Sequence, residues 1–105
     1  MSRNMSAVRR IVVKVGSNLI TDTQGIDGDR IALIAAEIAK MKTSGVQVLL
    51  VSSGAIGLGA KELRRKAAVK QTAMRQACAS IGQPLLMSHY RAALKAHGLS
   101  CAQIL

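Results

Sequence analysis

The sequence predicts an α/β fold, a three-layer αβα sandwich built around a mainly parallel sheet. Two apolar segments rich in β-branched residues, RIVVKVG (residues 10–16) and VQVLLV (46–51), flank a stretch with helical spacing of apolar residues. Strand, helix and strand of these lengths favour a parallel pair joined by a right-handed crossover. The second strand is apolar on both faces except at Gln47, which is typical of a strand covered on both sides.

The first half of the chain has clear boundaries. Gly16 ends the first strand, and the segment SNLITDTQGIDGD (17–29) is predicted to be a loop because it is rich in Gly, Asn and Asp. A helix begins at Asp27, a good N-cap residue, and ends before Gly45. Its apolar positions are Ile31, Ile34, Ile38 and Met41.

The second half is predicted to be mainly helical, with helices at about 60–66 and 69–81. Pro84 is expected to force Gln83 out of helical conformation and to start a further helix that runs to about Ala96. Gly98 ends it, and LSCAQIL (99–105) follows as a third strand. Because the last residue falls inside that strand, we expect residues 1–105 to be the N-terminal portion of a longer domain, with no second domain present.

Composition limits the classes of protein to which the chain can belong. Its 105 residues suit one small domain, half of them are hydrophobic, and Tyr90 is the single aromatic residue, so the core is expected to be aliphatic. The net charge of +10 has three explanations: a nucleic-acid partner, a solvated basic helix face at Lys61–Lys70, or an acidic remainder of the protein. The absence of stacking aromatics and of RNA-module motifs argues against nucleic acid.

Neither the cysteines nor the histidines have the spacing of metal ligands, so no metal site is expected. Cys78 and Cys101 are predicted to be buried free thiols. His89 and His97 are predicted to lie on the last helix as ordinary surface or core residues. No apolar signal core follows the basic N-terminus, so a cytoplasmic protein without a membrane partner is expected.

Candidate functional residues collect at the carboxyl ends of the two strands, where ligands bind in parallel sheets. Lys14 is an ammonium group in an otherwise apolar strand; it either reaches from an edge position to water or contacts a phosphate. The next residues, Gly16, Ser17 and Asn18, could supply the backbone N–H groups of an anion-binding nest.

The second strand runs into SSGAIGLG (52–59), where a helix start offers unpaired N–H donors to an anion. Alternatively, Ser52 or Ser53 is simply the N-cap. The spacing matches neither the Walker A lysine motif, nor the dinucleotide fingerprint, nor a nucleophile elbow. With no convincing acid–base pair, the residues best suit phosphoryl transfer, which depends on positioning and charge stabilisation. They define an anion- or phosphate-binding α/β domain.

Three blocks, in this order, resemble the glutamate 5-kinase family of the amino acid kinase superfamily. They are VVKVGSNLIT (12–21), VLLVSSGAIGLG (48–59) and KQTAMRQACASIGQPLLM (70–87). The terminal AQIL resembles the start of the next strand of that family. The combination of V-S-S-G-A-I with G-Q is specific, since other branches of the superfamily carry a Gly-Gly-type loop at this place.

The resemblance implies transfer of the γ-phosphoryl group of ATP to the γ-carboxylate of L-glutamate, with Mg²⁺, as the first step of proline biosynthesis. It implies that Lys14 is catalytic and contacts the ATP phosphates, with Gly16 and Ser17 in the nucleotide phosphate loop. Ser53, with the backbone of Gly54 and Ala55, would bind glutamate. A homo-oligomeric parent and no nucleic-acid partner are also implied.

The chain also departs from the family. The other glutamate and metal residues, the adenine-binding half of the sheet and, in many members, a PUA domain follow beyond Leu105, so these 105 residues alone are expected to be inactive. Pro84 stands where a small polar residue is expected. Two alternatives remain: another carboxylate or amino acid kinase of the superfamily, and a basic nucleic-acid-binding fragment.

Overall fold

The computed structural model describes residues 7–22, 25–63 and 71–104. Strand β1 (Arg10–Val15) is followed by a short 3-10 helix (Ser17–Leu19) and a small antiparallel hairpin, β2 (Thr21–Asp22) and β3 (Gly25–Ile26). Helix α1 (Gly28–Thr43) leads to strand β4 (Gln47–Ser52). The predicted loop at 17–29 therefore contains short regular elements of its own.

Strands β1 and β4 pair in parallel, with Arg10 opposite Gln47 and Val15 opposite Ser52. The predicted βα unit and its parallel pair are thus confirmed. Inward positions alternate with outward positions, as period 2 requires: Val13 and Val15 face the helices, while Val12 and Lys14 lie on the other face.

Helix α1 begins and ends as its sequence predicts. The Asp27 side chain caps it by accepting a hydrogen bond from the Arg30 N–H at 3.2 Å, and Asp29 lies in the first turn, where the helix dipole favours negative charge. Ile31, Ala35 and Ile38 form its buried face.

The predicted start of the next helix is wrong. Helix α2 runs over Ala55–Glu62, so it begins five residues before Ala60 and includes two of the glycines assigned to a loop. The reason lies in packing. A Cβ on Gly59 would lie 1.7 Å from the backbone oxygen of Cys78 in the third helix, so glycine permits a close contact between the helices.

The predicted break at Gln83 is also wrong. Helix α3 runs over Thr72–Lys95 and passes through Pro84 without ending. Proline removes one hydrogen bond, to the carbonyl four residues earlier. That residue, Ser80, is exposed, so water can satisfy its carbonyl. Two residues before Pro84, Gly82 lies in close contact with α2, where a Cβ would lie 1.7 Å from the Ala55 oxygen.

The predicted third strand does not form within residues 99–104. The Leu99 N–H donates to the Leu94 carbonyl at 3.1 Å, and Gly98 has a φ of +72°. These are the features of a Schellman helix end. This cap directs the chain back over the end of α3, and residues 99–104 line a groove beside β4 without strand pairing.

The three helices cover one face of the parallel pair. The main buried cluster between the helices and the sheet consists of Val15, Ile20, Ile31, Leu58, Leu86 and Tyr90. The opposite face exposes Val12 (55%), Leu49 (39%) and Val51 (45%). The described residues therefore form an α/β fold of two layers, and the third layer of the predicted sandwich is not confirmed.

Residues 64–70, which hold most of the predicted basic helix face, lie outside the described part of the chain. Within that part, no helix is both long and apolar enough to cross a membrane.

Candidate functional site

The two candidate loops leave the parallel pair side by side. β1 ends at Val15 and β4 ends at Ser52, and these two residues are opposite each other in the register. One residue further on, the Ser53 N–H donates to the Val15 carbonyl at 2.9 Å. The start of the second loop is therefore fixed to the end of the first strand.

The loops also lie side by side beyond this bond. A Cβ built on Gly54 would lie 3.5 Å from Ile20 Cδ1 and 4.0 Å from Ser17 Cβ. Gly54 has a φ of +118°, which L-residues rarely adopt. The sequence predicted that both loops lie at the carboxyl ends of the strands, and the structure places Ser17 beside Gly54 at that end of the sheet.

Gly16 and Ser17 form the first side of this site. Gly16 is exposed and extended, with no atom within 4 Å of the place where a Cβ would lie, so a ligand can approach its backbone. The Ser17 carbonyl accepts hydrogen bonds from the Ile20 N–H at 3.2 Å and from Thr21 Oγ1 at 2.7 Å. These bonds shape the 3-10 turn that carries Ser17.

Gly54 and Ala55 form the second side. Gly54 is the N-cap of α2, and no side chain caps this helix, so the expectation that Ser52 or Ser53 is the N-cap is wrong. The first N–H groups of α2 therefore lack a capping side chain. Together with the positive end of the helix dipole, they favour an anion here.

Lys14 lies on β1 one residue before Val15, opposite Val51 in the register. Its side chain is exposed on the sheet face that the helices leave open. Among the described residues it has no ion-pair or hydrogen-bond partner, so its charge remains available to a ligand. The structure places Lys14 at the same end of the strand as the loops, on the opposite side of the sheet from α1–α3.

Tyr90 contacts this region, and sequence reasoning missed it. Its hydroxyl lies 2.8 Å from Ser52 Oγ, and Ser52 Oγ donates to the Ser53 carbonyl at 3.0 Å. Burial raises the pKa of the Tyr90 phenol above its ordinary value, and the hydrogen bond with Ser52 lowers it by less. The sequence shows that Tyr90 is the single aromatic residue, but it does not show that Tyr90 lies close to Ser52.

The cysteines and histidines are not part of this candidate site. Cys78 is a buried free thiol, as predicted, whereas Cys101 is only half-buried. His89 is exposed on α3, and His97 lies beyond the end of that helix, contrary to the prediction for it. In residues 7–22, 25–63 and 71–104, no three His, Cys, Asp or Glu side chains are grouped to hold a metal ion.

The structure thus contains a helix-covered parallel pair, with an exposed lysine and two glycine-containing loops at the strand ends. Residues 9–105 match the Amino acid kinase family. The chain therefore belongs to the amino acid kinase family.

The individual relatives that the chain matches are glutamate 5-kinases. The chain is 43% identical over 102 residues to the glutamate 5-kinase of Trichlorobacter lovleyi and 45% identical over 102 residues to that of Desulfitobacterium hafniense. It is 41% identical over 99 residues to the glutamate 5-kinase of Thermus thermophilus. These alignments cover 94–96% of this chain but only 27–28% of each relative. The chain thus spans about a quarter of the length of the curated relatives it matches.

Proposed function

We propose that this chain supplies one wall of the active site of a glutamate 5-kinase, an ATP-dependent phosphotransferase that acts on a carboxyl group. The observation that carries the proposal is the position of the two loops at the carboxyl end of the parallel pair, where the Ser53 N–H bonds to the Val15 carbonyl and Gly54 lies beside Ser17. The named activity of the relatives supports the choice of glutamate as the acceptor. Residues 1–105 would then be the N-terminal portion of an amino acid kinase domain in a cytoplasmic, homo-oligomeric parent.

Each candidate residue has a role in this proposal. Lys14 contacts the ATP phosphates and stabilises the charge on the transferred phosphoryl group, and the backbone of Gly16 and Ser17 contacts the nucleotide phosphates. Ser53, with the N–H groups of Gly54 and Ala55, binds the acceptor glutamate. Support comes from the uncapped start of α2 and from the open space at Gly16, because both leave N–H donors accessible to anions.

The mechanism requires little from the protein beyond position and charge. The acceptor γ-carboxylate is already a nucleophile, so no general base is needed. The obstacle is repulsion between two anions, and a fixed ammonium group with oriented N–H donors reduces it. The described residues do not fit a protein-held Mg²⁺ site, since no suitable ligand group lies among them. The ion would be held by ATP and by residues outside the described ones.

We also propose that the open sheet face is covered in the whole protein, which would complete the three-layer sandwich. Val12, Leu49 and Val51 support this, because three exposed apolar side chains lie together on that face.

The test uses the complete protein that carries this sequence, assayed for ATP-dependent glutamyl hydroxamate formation. We expect turnover with L-glutamate, and a Lys14→Ala variant should lose roughly 100- to 1000-fold in kcat, as removal of one transition-state contact does. Lys40→Ala is the matched control, because Lys40 is exposed on α1 and its ion-pair partner among the described residues is Glu37, at 3.2 Å. It should retain the wild-type rate.

Two results would contradict the proposal. If Lys14→Ala stays within a few-fold of the wild type, the role of Lys14 is wrong. If the wild-type protein phosphorylates aspartate, acetylglutamate or carbamate in preference to glutamate, the chain belongs to another kinase of the family.

A further inference from the structure

A continuous chain of hydrogen bonds leads from Tyr90, in the C-terminal third of α3, to the loop that follows β4, where Ser53 is proposed to bind the acceptor. Ser52 Oγ donates its single proton to the Ser53 carbonyl at 3.0 Å. The 2.8 Å contact between Ser52 Oγ and the Tyr90 hydroxyl must then use the tyrosine proton. The direction is therefore from Tyr90 to Ser52 and from Ser52 to the carbonyl of Ser53.

Tyr90 is a rigid origin for this chain. Its side chain is only 3% exposed and packs in the main buried cluster with Val15, Leu58 and Leu86. It has little freedom to follow Ser52 if the loop moves. Burial also keeps the phenol protonated through neutral pH, since its pKa is raised. The donor is thus available throughout the working range of a kinase.

The chain fixes the orientation of one peptide group. That group is the Ser53–Gly54 peptide, whose carbonyl accepts from Ser52 Oγ at 3.0 Å. The preceding peptide is fixed separately, because the Ser53 N–H donates to the Val15 carbonyl at 2.9 Å. In a planar trans peptide the carbonyl and the following N–H point in opposite directions. Holding the Ser53 carbonyl toward Ser52 therefore aims the Gly54 N–H away from it. Gly54 is the N-cap of α2 and lies beside Ser17.

We propose that Tyr90 is a positioning residue, which orients the Ser53–Gly54 peptide through Ser52 so that its N–H meets the carboxylate of the acceptor. This inference rests on the proposed function. It assigns no contact between Tyr90 and either substrate; the tyrosine acts only through Ser52.

The test compares Tyr90→Phe, Ser52→Ala and Ser52→Thr in the complete protein. Phenylalanine keeps the packing of the ring and removes only the hydroxyl, and threonine keeps the hydroxyl of Ser52. We expect kcat/KM for glutamate to fall roughly 3- to 10-fold in Tyr90→Phe and Ser52→Ala, as loss of one hydrogen bond implies. KM for ATP should be unchanged, and Ser52→Thr should behave as the wild type.

A purely structural role gives a different result. Loss of folded protein would lower the rate with both substrates equally and would leave both KM values unchanged. The double variant Tyr90→Phe/Ser52→Ala adds a second criterion. Both changes interrupt the same chain, so it should be no worse than either single variant. Equal loss for both substrates, or additive losses, overturns the proposal.

A second measurement separates this proposal from the proposed function. Amide hydrogen exchange at Ser53, whose N–H lies in the Ser52–Ser53 peptide and bonds to the Val15 carbonyl, should be roughly 3- to 10-fold faster in Tyr90→Phe, because the tyrosine hydroxyl no longer holds Ser52. Exchange at Ala35, buried in α1, should be unchanged. If the wild type shows no glutamate phosphorylation, the proposed function fails, and the exchange data still decide the role of Tyr90. Unchanged exchange at Ser53 overturns it.

Discussion

The close contact between α2 and α3 makes a sharp prediction about Gly59. An alanine there would place its Cβ 1.7 Å from the Cys78 oxygen and 2.5 Å from the Cys78 carbonyl carbon. Both are backbone atoms in the middle of a helix, so no side-chain rotation relieves the overlap. Gly57, two residues earlier in the same helix, has no atom within 4 Å of the corresponding Cβ position.

The expected magnitudes have opposite signs at the two positions. In an exposed helix interior, glycine to alanine stabilises by about 0.5–1 kcal/mol because alanine has the higher helix propensity. At Gly59 the helices must move apart by roughly 1.7 Å before the Cβ–oxygen distance reaches an ordinary contact. That movement separates Leu58 from Leu86 in the main buried cluster. Overpacking of this kind costs about 1–3 kcal/mol or more, well above the gain in propensity.

The assay is urea denaturation of the 105-residue chain, followed by far-ultraviolet circular dichroism. Gly57→Ala should raise the midpoint and Gly59→Ala should lower it, with the slope unchanged in both. Gly82→Ala should resemble Gly59→Ala, because its Cβ would lie 1.7 Å from the Ala55 oxygen. Midpoints for Gly57→Ala and Gly59→Ala that agree within error would show that the helices are not in backbone contact.

Three further predictions concern the site and its supports. Gly54→Ala should lose about 1–3 kcal/mol of stability, because the φ of +118° strains a residue with a Cβ, and Gly54→Asn should lose less. Thermal unfolding measures both losses. Asp27→Ala should lose about 1 kcal/mol by removing the cap on the Arg30 N–H, and Asp29→Ala less, by the same assay. The pKa of Tyr90 is raised in the folded state, so the phenol contributes to the free energy of unfolding below about pH 10, and this contribution is lost as pH rises through the folded-state pKa. Tyr90→Phe should therefore lose less stability than the wild type between neutral and alkaline pH.

The first half of the fold could be predicted from sequence because its determinants are local. The β-branched run of β1, the Asp27 cap and the stop at Gly45 each act within a few residues. The second half could not, because a distant contact decides it. Read locally, Gly59 suggests a loop and Pro84 suggests a break, but Gly59 and Gly82 lie where α2 and α3 touch.

The candidate site was predicted only in part, for the same reason. Strand ends point to Lys14, Gly16 and Ser53 without any knowledge of contacts, since parallel strands present their carboxyl ends at one edge. The contact of Ser17 with Gly54 and the bond from Tyr90 to Ser52 depend on how the loops and α3 pack. Spacing in the sequence contains no information on either distance.

Helix α3 holds the loop between β4 and α2 (residues 52–55) from both ends. At one end, Gly82 packs on the Ala55 carbonyl and so fixes the first turn of α2 just after Gly54. At the other end, Tyr90 holds Ser52 just before Ser53. The two α3 residues are eight positions apart, about 2.2 helical turns, so their directions differ by roughly 80° and they lie on one broad face of the helix. A rigid α3 therefore sets where the loop begins and where it ends. The helix must therefore continue through Pro84, because a bend between Gly82 and Tyr90 would change the distance between the Gly82–Ala55 contact and the Tyr90–Ser52 hydrogen bond.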